Sequence, residues 1–442
     1  MRAGRIALIG ALLLAPGAGA ETLSIDQAVA RALGRHPALA AAGHAEDAAR
    51  ARTRQARTAW LPRVSVEGAY RYQGPVPELS IDTGITLPGT SEPVSITREI
   101  GTAHVASASV TAGWRALDFG ARAARVEAAA AMERAAAADG AERQAEVAQA
   151  VRLAYLGVAL QDEVARVTEG ALAVARDARD RAQSGLAAGL ASKVGVAAAR
   201  SRVAELESRL VAARQGRERG AETLRLLLGL SPGEPVVLSE RLGELVPVEV
   251  AAPETTPVEA RLDASQQALE RQQQAVRRSA LPTVDLYATG GYQYPRTFVE
   301  TDRAGFVWAA GVKLSWEAFD GGLRARQRDE LDARIAEVGS LREAAGEDTR
   351  RRLADAEAAL RTARASGEAA TAQVEAARVY LDAARGGQEA GTATTLEVQA
   401  AEEALEQAQL AEIKASFDAA VAQAERLRAL GVARVRAEES GR

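Results

Sequence analysis

The chain of 442 residues contains no cysteine. That excludes disulfides, thiol nucleophiles and thiolate-bound metals. Histidine is nearly as scarce, and His36, His44 and His104 are too scattered to build a metal site. No Ser-His-Asp signature, phosphate-cradling glycine loop or paired-carboxylate site stands out, so neither catalysis nor a cofactor is expected. Aromatic residues make up only 4 % of the chain, against an abundance of Ala, Arg, Glu and Gln. That composition favours long helices packed side by side over a thick core. The formal net charge of −4 gives no reason to expect a nucleic-acid partner. Past the N-terminus nothing approaches the ~20 continuous apolar residues of a transmembrane helix.

The first residues carry an address. Arg2 and Arg5 precede a short apolar stretch, Ile6 to Ala15, and Ala18-Gly19-Ala20 offers small residues before a cut. This is the pattern of a secretory signal, expected over 1–20. With no cysteine at the cut, a lipid-modified N-terminus is not expected.

The rest of the chain is one unit written twice. At an offset of 220, Pro37 matches Pro257, Arg57 matches Arg277, Leu61-Pro62 matches Leu281-Pro282, and Tyr72 matches Tyr292. At an offset of 202, Trp114 matches Trp316, Asp118 matches Asp320, Gly120 matches Gly322, Arg122 matches Arg324, and Leu228-Gly229 matches Leu430-Gly431. The change from 220 to 202 means that the first copy carries 18 extra residues between Tyr72 and Trp114. Gln73 to Thr102, rich in Pro, Gly, Ser and Thr, reads as the surface loop that holds them. The organisation expected is a first repeat over 21–230, a connector over 231–256, a second repeat over 257–432 and a disordered tail over 433–442. Five prolines between Ser231 and Pro257 mark the connector as extended.

Each copy reads as a short helix, two strands and a long helical hairpin. The strands show period-2 alternation. Phe306, Trp308, Ala310, Val312, Leu314 and Trp316 share one face, and Val307, Ala309, Gly311, Lys313 and Ser315 the other. Val284, Leu286, Ala288, Gly290, Tyr292 and Tyr294 likewise oppose Asp285, Tyr287 and Thr289. Val64, Val66, Gly68, Tyr70 and Tyr72 oppose Ser65, Glu67 and Arg71, while His104 to Trp114 alternates least clearly. At ~3.3 Å per residue, about eleven residues cross a bilayer when tilted. The hairpin arms carry heptads: Val196, Ala199, Val203, Leu206, Leu210 and Ala213, then Val398, Ala401, Leu405 and Ala408, with Val164, Val167, Ala171, Val174 and Ala178 on an outgoing arm. The outgoing arms, Ala121 to Ser184 and Leu323 to Gly386, have 64 residues each and the returning arms 39. The 24 residues from Pro37 to Trp60 nearly make up the difference, so the short helix and the returning arm are expected to stack as one broken rod.

Four strands with a markedly apolar face have a consequence. In lipid every backbone N–H and C=O must be bonded, so an open sheet is excluded and a closed barrel required. The smallest outer-membrane barrels have about eight strands, so copies must combine. A dimer and a trimer both satisfy closure. Trp60, Trp114 and Trp316 lie at the strand ends that meet helices, and Tyr70, Tyr72, Tyr292 and Tyr294 at the opposite ends, as two membrane-interface girdles would. Arginines gather at the four strand–helix junctions: Arg52, Arg54 and Arg57; Arg115, Arg122 and Arg125; Arg277 and Arg278; Arg324, Arg326 and Arg328. They are expected to face lipid phosphates or to form a solvated, ion-paired helix surface.

From Leu23-Ser24-Ile25-Asp26-Gln27-Ala28, through Arg35-His36-Pro37, to Leu430-Gly431, the chain resembles the TolC-like outer-membrane efflux proteins. The resemblance implies a mainly α fold with a small β part, forming a homotrimeric channel-tunnel in the outer membrane. Four strands per protomer would share a twelve-stranded barrel, continuous with an α-barrel reaching into the periplasm. It implies docking onto a periplasmic adaptor and an inner-membrane pump, for efflux or type I secretion. The family's adaptor-contacting hairpin tips match Gly189-Leu190 and Gly391-Thr392. Its acidic ring at the periplasmic constriction matches Glu397 in the second copy, but Gly195 stands at that place in the first. The next ring acid is replaced by Ala400, and the positions of the closed-state lock hold Gln388 and Ala393. A rival reading, a periplasmic coiled-coil adaptor or scaffold, accounts for the hairpins but not for the duplication.

Overall fold

The computed structural model describes residues 22–76, 78–89, 92–99, 102–189, 191–245, 250–297 and 303–434. The expected signal segment, Leu190 and most of the expected tail fall outside them. The chain begins with β1 (Thr22–Leu23), α1 (Ile25–Arg35) and α2 (Pro37–Arg57), followed by β2 (Arg63–Tyr72), β3 (Glu78–Thr86), β4 (Pro93–Glu99) and β5 (His104–Leu117). The first hairpin is α3 (Ala121–Ala187) and α4 (Lys193–Leu228), and β6 (Val237–Leu238) follows in the connector. The second copy comprises α5 (Pro257–Arg278), β7 (Thr283–Tyr294), β8 (Gly305–Ser315), α6 (Leu323–Glu389) and α7 (Thr395–Ala429). The long helices dominate, as composition and heptads require, and no helix among the described residues is long and apolar enough to cross a membrane.

Backbone contacts divide the chain into two units. One comprises 44–137 and 260–343 and holds the main sheet. Its four strands run in the order β2-β5-β7-β8, all antiparallel, so the two copies pair through β5 and β7 while β2 and β8 are the edges. β5 extends three residues beyond Trp114, its pairing shifting between Arg115 and Leu117. The segment expected as a loop departs from expectation: β3 and β4 form a separate antiparallel hairpin. Its cause lies in the residues, since Leu79 and Ile81 alternate with Ser80 and Asp82, and Val94 and Ile96 with Ser95 and Thr97. Ser80 and Thr97 share a hydrogen bond of 3.0 Å across the ladder.

The other unit, the remainder of the chain, contains the hairpins' lower arms. Ser24 caps α1 by accepting from the Gln27 backbone N–H, while Gln27 accepts from the Ser24 N–H. The connector is less bare than expected, since β6 pairs in parallel with β1 and Ser239 N–H donates to the Leu23 carbonyl. Around this strand pair Val29, Val151, Tyr155, Leu224 and Leu228 close the largest core. The Tyr155 hydroxyl, pushed up to about 12 by burial, donates to the Leu23 carbonyl at 3.0 Å.

Each returning arm ends on a glycine in the left-handed region, Gly229 with φ of +64° and Gly431 with φ of +70°; Gly431 lies against Pro257, the first residue of α5, and Gly229 near Arg35, the last residue of α1. A Cβ on Gly431 would lie 2.3 Å from Pro257 Cδ, while one on Gly229 would lie 4.0 Å from Arg35 Cβ. Heptad positions Val196, Ala199, Val203, Leu206, Leu210 and Ala213 are all buried, as are Val398, Ala401 and Ala408. On α3 the expected seam is fully buried only at Val167. Leu172 and Ala175 are fully buried beside it, while Val164 and Ala171 are partly buried and packed on the core, and Val174 and Ala178 line a groove.

Candidate functional site

The sheet sorts its side chains by face. The register sets Val66 beside Val110, Gly290 and Trp308, and the next row Glu67 beside Ser109, Gly291 and Val307. One face therefore gathers Val, Leu, Ala and aromatics, and the other is mostly Ser, Thr, Glu, Gln, Arg and Lys, with Val105, Tyr287, Val307 and Ala309 among them. On the apolar face Val66 is 77 % exposed and Trp308 74 %. On the polar face Thr111 and Thr289 hydrogen-bond at 3.0 Å, and Arg115 pairs with Asp285 at 2.9 Å. An apolar face this exposed, with two open edges, is unsuited to water.

All the strand ends that lead to helices lie at one end of this sheet. Trp60, Trp114 and Trp316 gather there, and Tyr70, Tyr72, Tyr292 and Tyr294 occupy the other end. All seven are exposed except Tyr294, which is half-buried. The indoles are fixed by one device used twice: Trp114 Nε1–H donates to the Trp60 carbonyl at 2.9 Å, and Trp316 Nε1–H to the Ala280 carbonyl at 3.1 Å.

At the strand-to-helix junctions the sequence singled out the arginines but not their carboxylate partners. Asp118 accepts from the backbone N–H groups of Gly120 and Arg122 and pairs with the Arg122 guanidinium at 3.0 Å, both side chains being 4 % exposed. Arg122 also donates to the Ala59 carbonyl and lies 4.3 Å from the centre of the Trp60 ring. Asp320 and Arg324 repeat the arrangement, Arg324 reaching the Ser279 carbonyl. Hydrogen bonds from the Arg324 backbone and side chain hold the Asp320 carboxyl below the usual carboxylate range. The signal was available, since Asp118-x-Gly120-x-Arg122 and Asp320-x-Gly322-x-Arg324 are among the residues that mark the repeat.

This divides the arginine layer. Arg122 and Arg324 are internal struts, Arg115 pairs with Asp285, and Arg278 donates to the Gly120 carbonyl. With its side chain 4 % exposed, Arg122 is turned inward and offers little of its guanidinium to a lipid phosphate. Arg52, Arg54, Arg57, Arg125 and Arg277 are exposed and carry no ion pair or side-chain hydrogen bond among the described residues.

At the hairpin tips Gly189 and Gly391 both have φ of +75°, a left-handed turn that glycine takes without strain. Thr392 bonds back to the Gly387 carbonyl through its N–H at 2.8 Å and its hydroxyl at 3.1 Å. Ser192 and Thr394 cap α4 and α7. Glu397 stands in the first turn of α7, exposed, and closes a capping box. Its Oε2 accepts from the Thr394 N–H at 2.6 Å and the Thr394 hydroxyl at 3.0 Å. Those bonds hold its carboxyl below the usual range.

The geometry defines a duplicated protomer whose β part is built for lipid and whose α part is a pair of coiled-coil hairpins. The chain belongs to the outer membrane efflux protein family, whose model matches residues 28–230 and 259–432. It is an outer-membrane channel component of efflux systems, extending into the periplasm, and the family and fold are those of non-enzymatic channels. The periplasmic adaptor reading is thereby set aside. Among solved structures the fold is similar to outer membrane protein VceC from Vibrio cholerae, at 20 % identity over 92 % of this chain and 96 % of that one, with a TM-score of 0.71. It is similar to CusC at 18 % identity over 95 % and 96 %, TM-score 0.76. The open state of the MtrE channel of Neisseria gonorrhoeae matches at 18 % identity over 92 % and 89 %, TM-score 0.75. At these identities the likeness shows the fold alone. Among curated protein sequences none matches.

Proposed function

We propose that three copies of this chain close one twelve-stranded barrel, β8 of each pairing with β2 of the next, and conduct substrate delivered by a periplasmic adaptor and an inner-membrane pump. The observation that carries this reading is the sheet's pair of open edges beside an exposed apolar face. Closure through identical neighbours satisfies the edge groups that lipid cannot. In this reading the apolar face meets the bilayer, the polar face lines the pore, and the Trp and Tyr girdles sit at the two interfaces. Outer-membrane lipid is then a direct partner, and the unpaired arginines near the Trp girdle are placed to meet its phosphates. The proposed domain plan is a signal over 1–20, repeats over 21–230 and 257–432, a connector over 231–256 and a tail beyond 432.

Gly189, Leu190, Gly391 and Thr392 form the adaptor contact, and three Glu397 carboxylates ring the periplasmic constriction and favour cations. The capping bonds support a fixed, ionised Glu397, because they occupy Oε2 and stabilise the charge. Heat-modifiable migration of a membrane-fraction trimer on denaturing gels is the expected result for the assembly. A water-soluble monomer that needs no detergent refutes it. Planar-bilayer recordings test the ring: Glu397→Ala is expected to lower cation preference, and unchanged selectivity and conductance refute the ring alone.

A further inference from the structure

The charges of the four-stranded sheet all stand on one face. β2 presents Arg63, Glu67 and Arg71 there, β5 Arg115, β7 Asp285 and β8 Lys313. The opposite face carries only apolar residues, glycines, tyrosines and His104. Four bases against two acids leave the polar face at +2 per chain, although the chain as a whole has a formal net charge of −4.

Three of the four bases gather at the Trp end. The register places Arg115, Asp285 and Lys313 in one row, and Arg63, Gly113, Tyr287 and Gly311 in the next row of the same face. Asp285 is already engaged by Arg115, at 2.9 and 3.5 Å. Lys313 stands across from it on β8, and both Lys313 and Arg63 are exposed with no ion pair or side-chain hydrogen bond among the described residues. The following row, Ser65, Thr111, Thr289 and Ala309, has no charge to offset them. The nearest free acid along β2 is Glu67, ~13 Å from Arg63 by strand rise.

A guanidinium and an ammonium offer donors only, so an unpaired one on a wet surface favours an anion and nothing else. The field of each reaches ~8 Å at physiological ionic strength. Arg63 and Lys313 lie ~16 Å apart by strand spacing and rise, so their fields meet and act as one belt. The glycines beside them, Gly113 and Gly311, leave it uncovered.

We propose that Arg63 and Lys313 form an anion-selecting belt in the barrel lumen near its Trp end, favouring solutes that carry carboxylate, sulfonate or phosphate groups. The inference rests on the channel reading, in which the polar face lines the pore and three copies repeat the belt around it. Lumen-facing charge tunes the selectivity of such barrels, whereas charge on the lipid face only destabilises them. The belt is opposite in sign to the Glu397 ring, so the two are separable by experiment.

Reversal potentials across a KCl gradient in planar bilayers test the belt, with Glu397→Ala as the common background so that charges elsewhere along the pore cancel between variants. Arg63→Gln and Lys313→Gln are each expected to shift the potential toward potassium, and Arg63→Glu with Lys313→Glu farther still. Glu67→Gln, on the same face, is expected to shift it toward chloride. All these shifts should shrink between about 0.1 M and 1 M salt, as the screening length falls from about 10 to about 3 Å. Because the chain lacks cysteine, Lys313→Cys can also be modified in pores already assembled, which removes folding from the question. Positively and negatively charged thiol reagents are then expected to move the potential in opposite directions. Conducting pores whose selectivity ignores both the charge reversal and the sign of the reagent overturn the belt alone. A chain that forms no pore overturns the channel reading, and the belt with it.

Discussion

Asp118 and Arg122 show how much one pair of side chains can carry. The carboxylate ends two helix N-terminal N–H groups and one guanidinium, and that guanidinium reaches back to the carbonyl of Ala59 and covers Trp60. Strand, turn and helix are thus tied through two residues almost without solvent. Arg122→Ala is expected to cost roughly 3–5 kcal/mol, because Asp118 would be left buried and unpaired. Thermal unfolding of the detergent-solubilised protein measures it, and a loss under about 1 kcal/mol, the usual worth of an exposed pair, would show the junction to be ornamental. Such residues were legible only as repeat markers. Spacing announces that Asp118 recurs as Asp320, but not that its oxygens face amides, because that depends on a chain reversal that no local pattern encodes.

At the scale of elements the heptads were the clearest text. Six predicted seam positions of α4 are all buried, since a helix with one apolar neighbour must turn that stripe inward. The α3 seam was only partly legible, because that helix has two neighbouring surfaces and a period describes only one. The cap of α7 makes a pH prediction. Thr394 donates two bonds to Glu397 and thereby lowers its folded-state pKa below the unfolded value. The stability that the cap contributes is therefore full above the unfolded pKa, near 4.5, and is lost as pH falls through the folded one. Hydrogen-exchange protection around Thr394 to Val398 is expected to drop on acidification through that range. In Glu397→Gln, which removes the titrating group, it should stay flat, and an equal pH slope in both proteins would dismiss the cap as the cause.

At the scale of the whole molecule the two copies differ most in the β3–β4 hairpin. It belongs to its own two-stranded sheet and takes no part in the order β2-β5-β7-β8. In the proposed barrel, closure needs only the four strands, and a shorter loop is tolerated because loop-closure entropy changes slowly with length. Deleting Glu78 to Glu99 and joining the ends with a short Gly/Ser segment is expected to leave a heat-modifiable trimer. Loss of the trimer would mean that this hairpin takes part in assembly. The sequence reading of this segment as plain loop failed because turn-forming residues outnumber its two short apolar alternations.

The linear order of residues was sufficient for the duplication, the helix–strand–strand–hairpin plan and the faces of the strands, and it is the ground for proposing identical partners. Each follows from a local period or from counting strands against the hydrogen-bond demand of lipid. Folding in three dimensions settled which strands neighbour one another, which arginines are struts and which stay open, and that Glu406 finds Arg202 and Arg209. The last of these joins residues about 200 positions apart in the chain. A period reports only a side chain's own helix or strand, whereas burial and pairing depend on what arrives opposite.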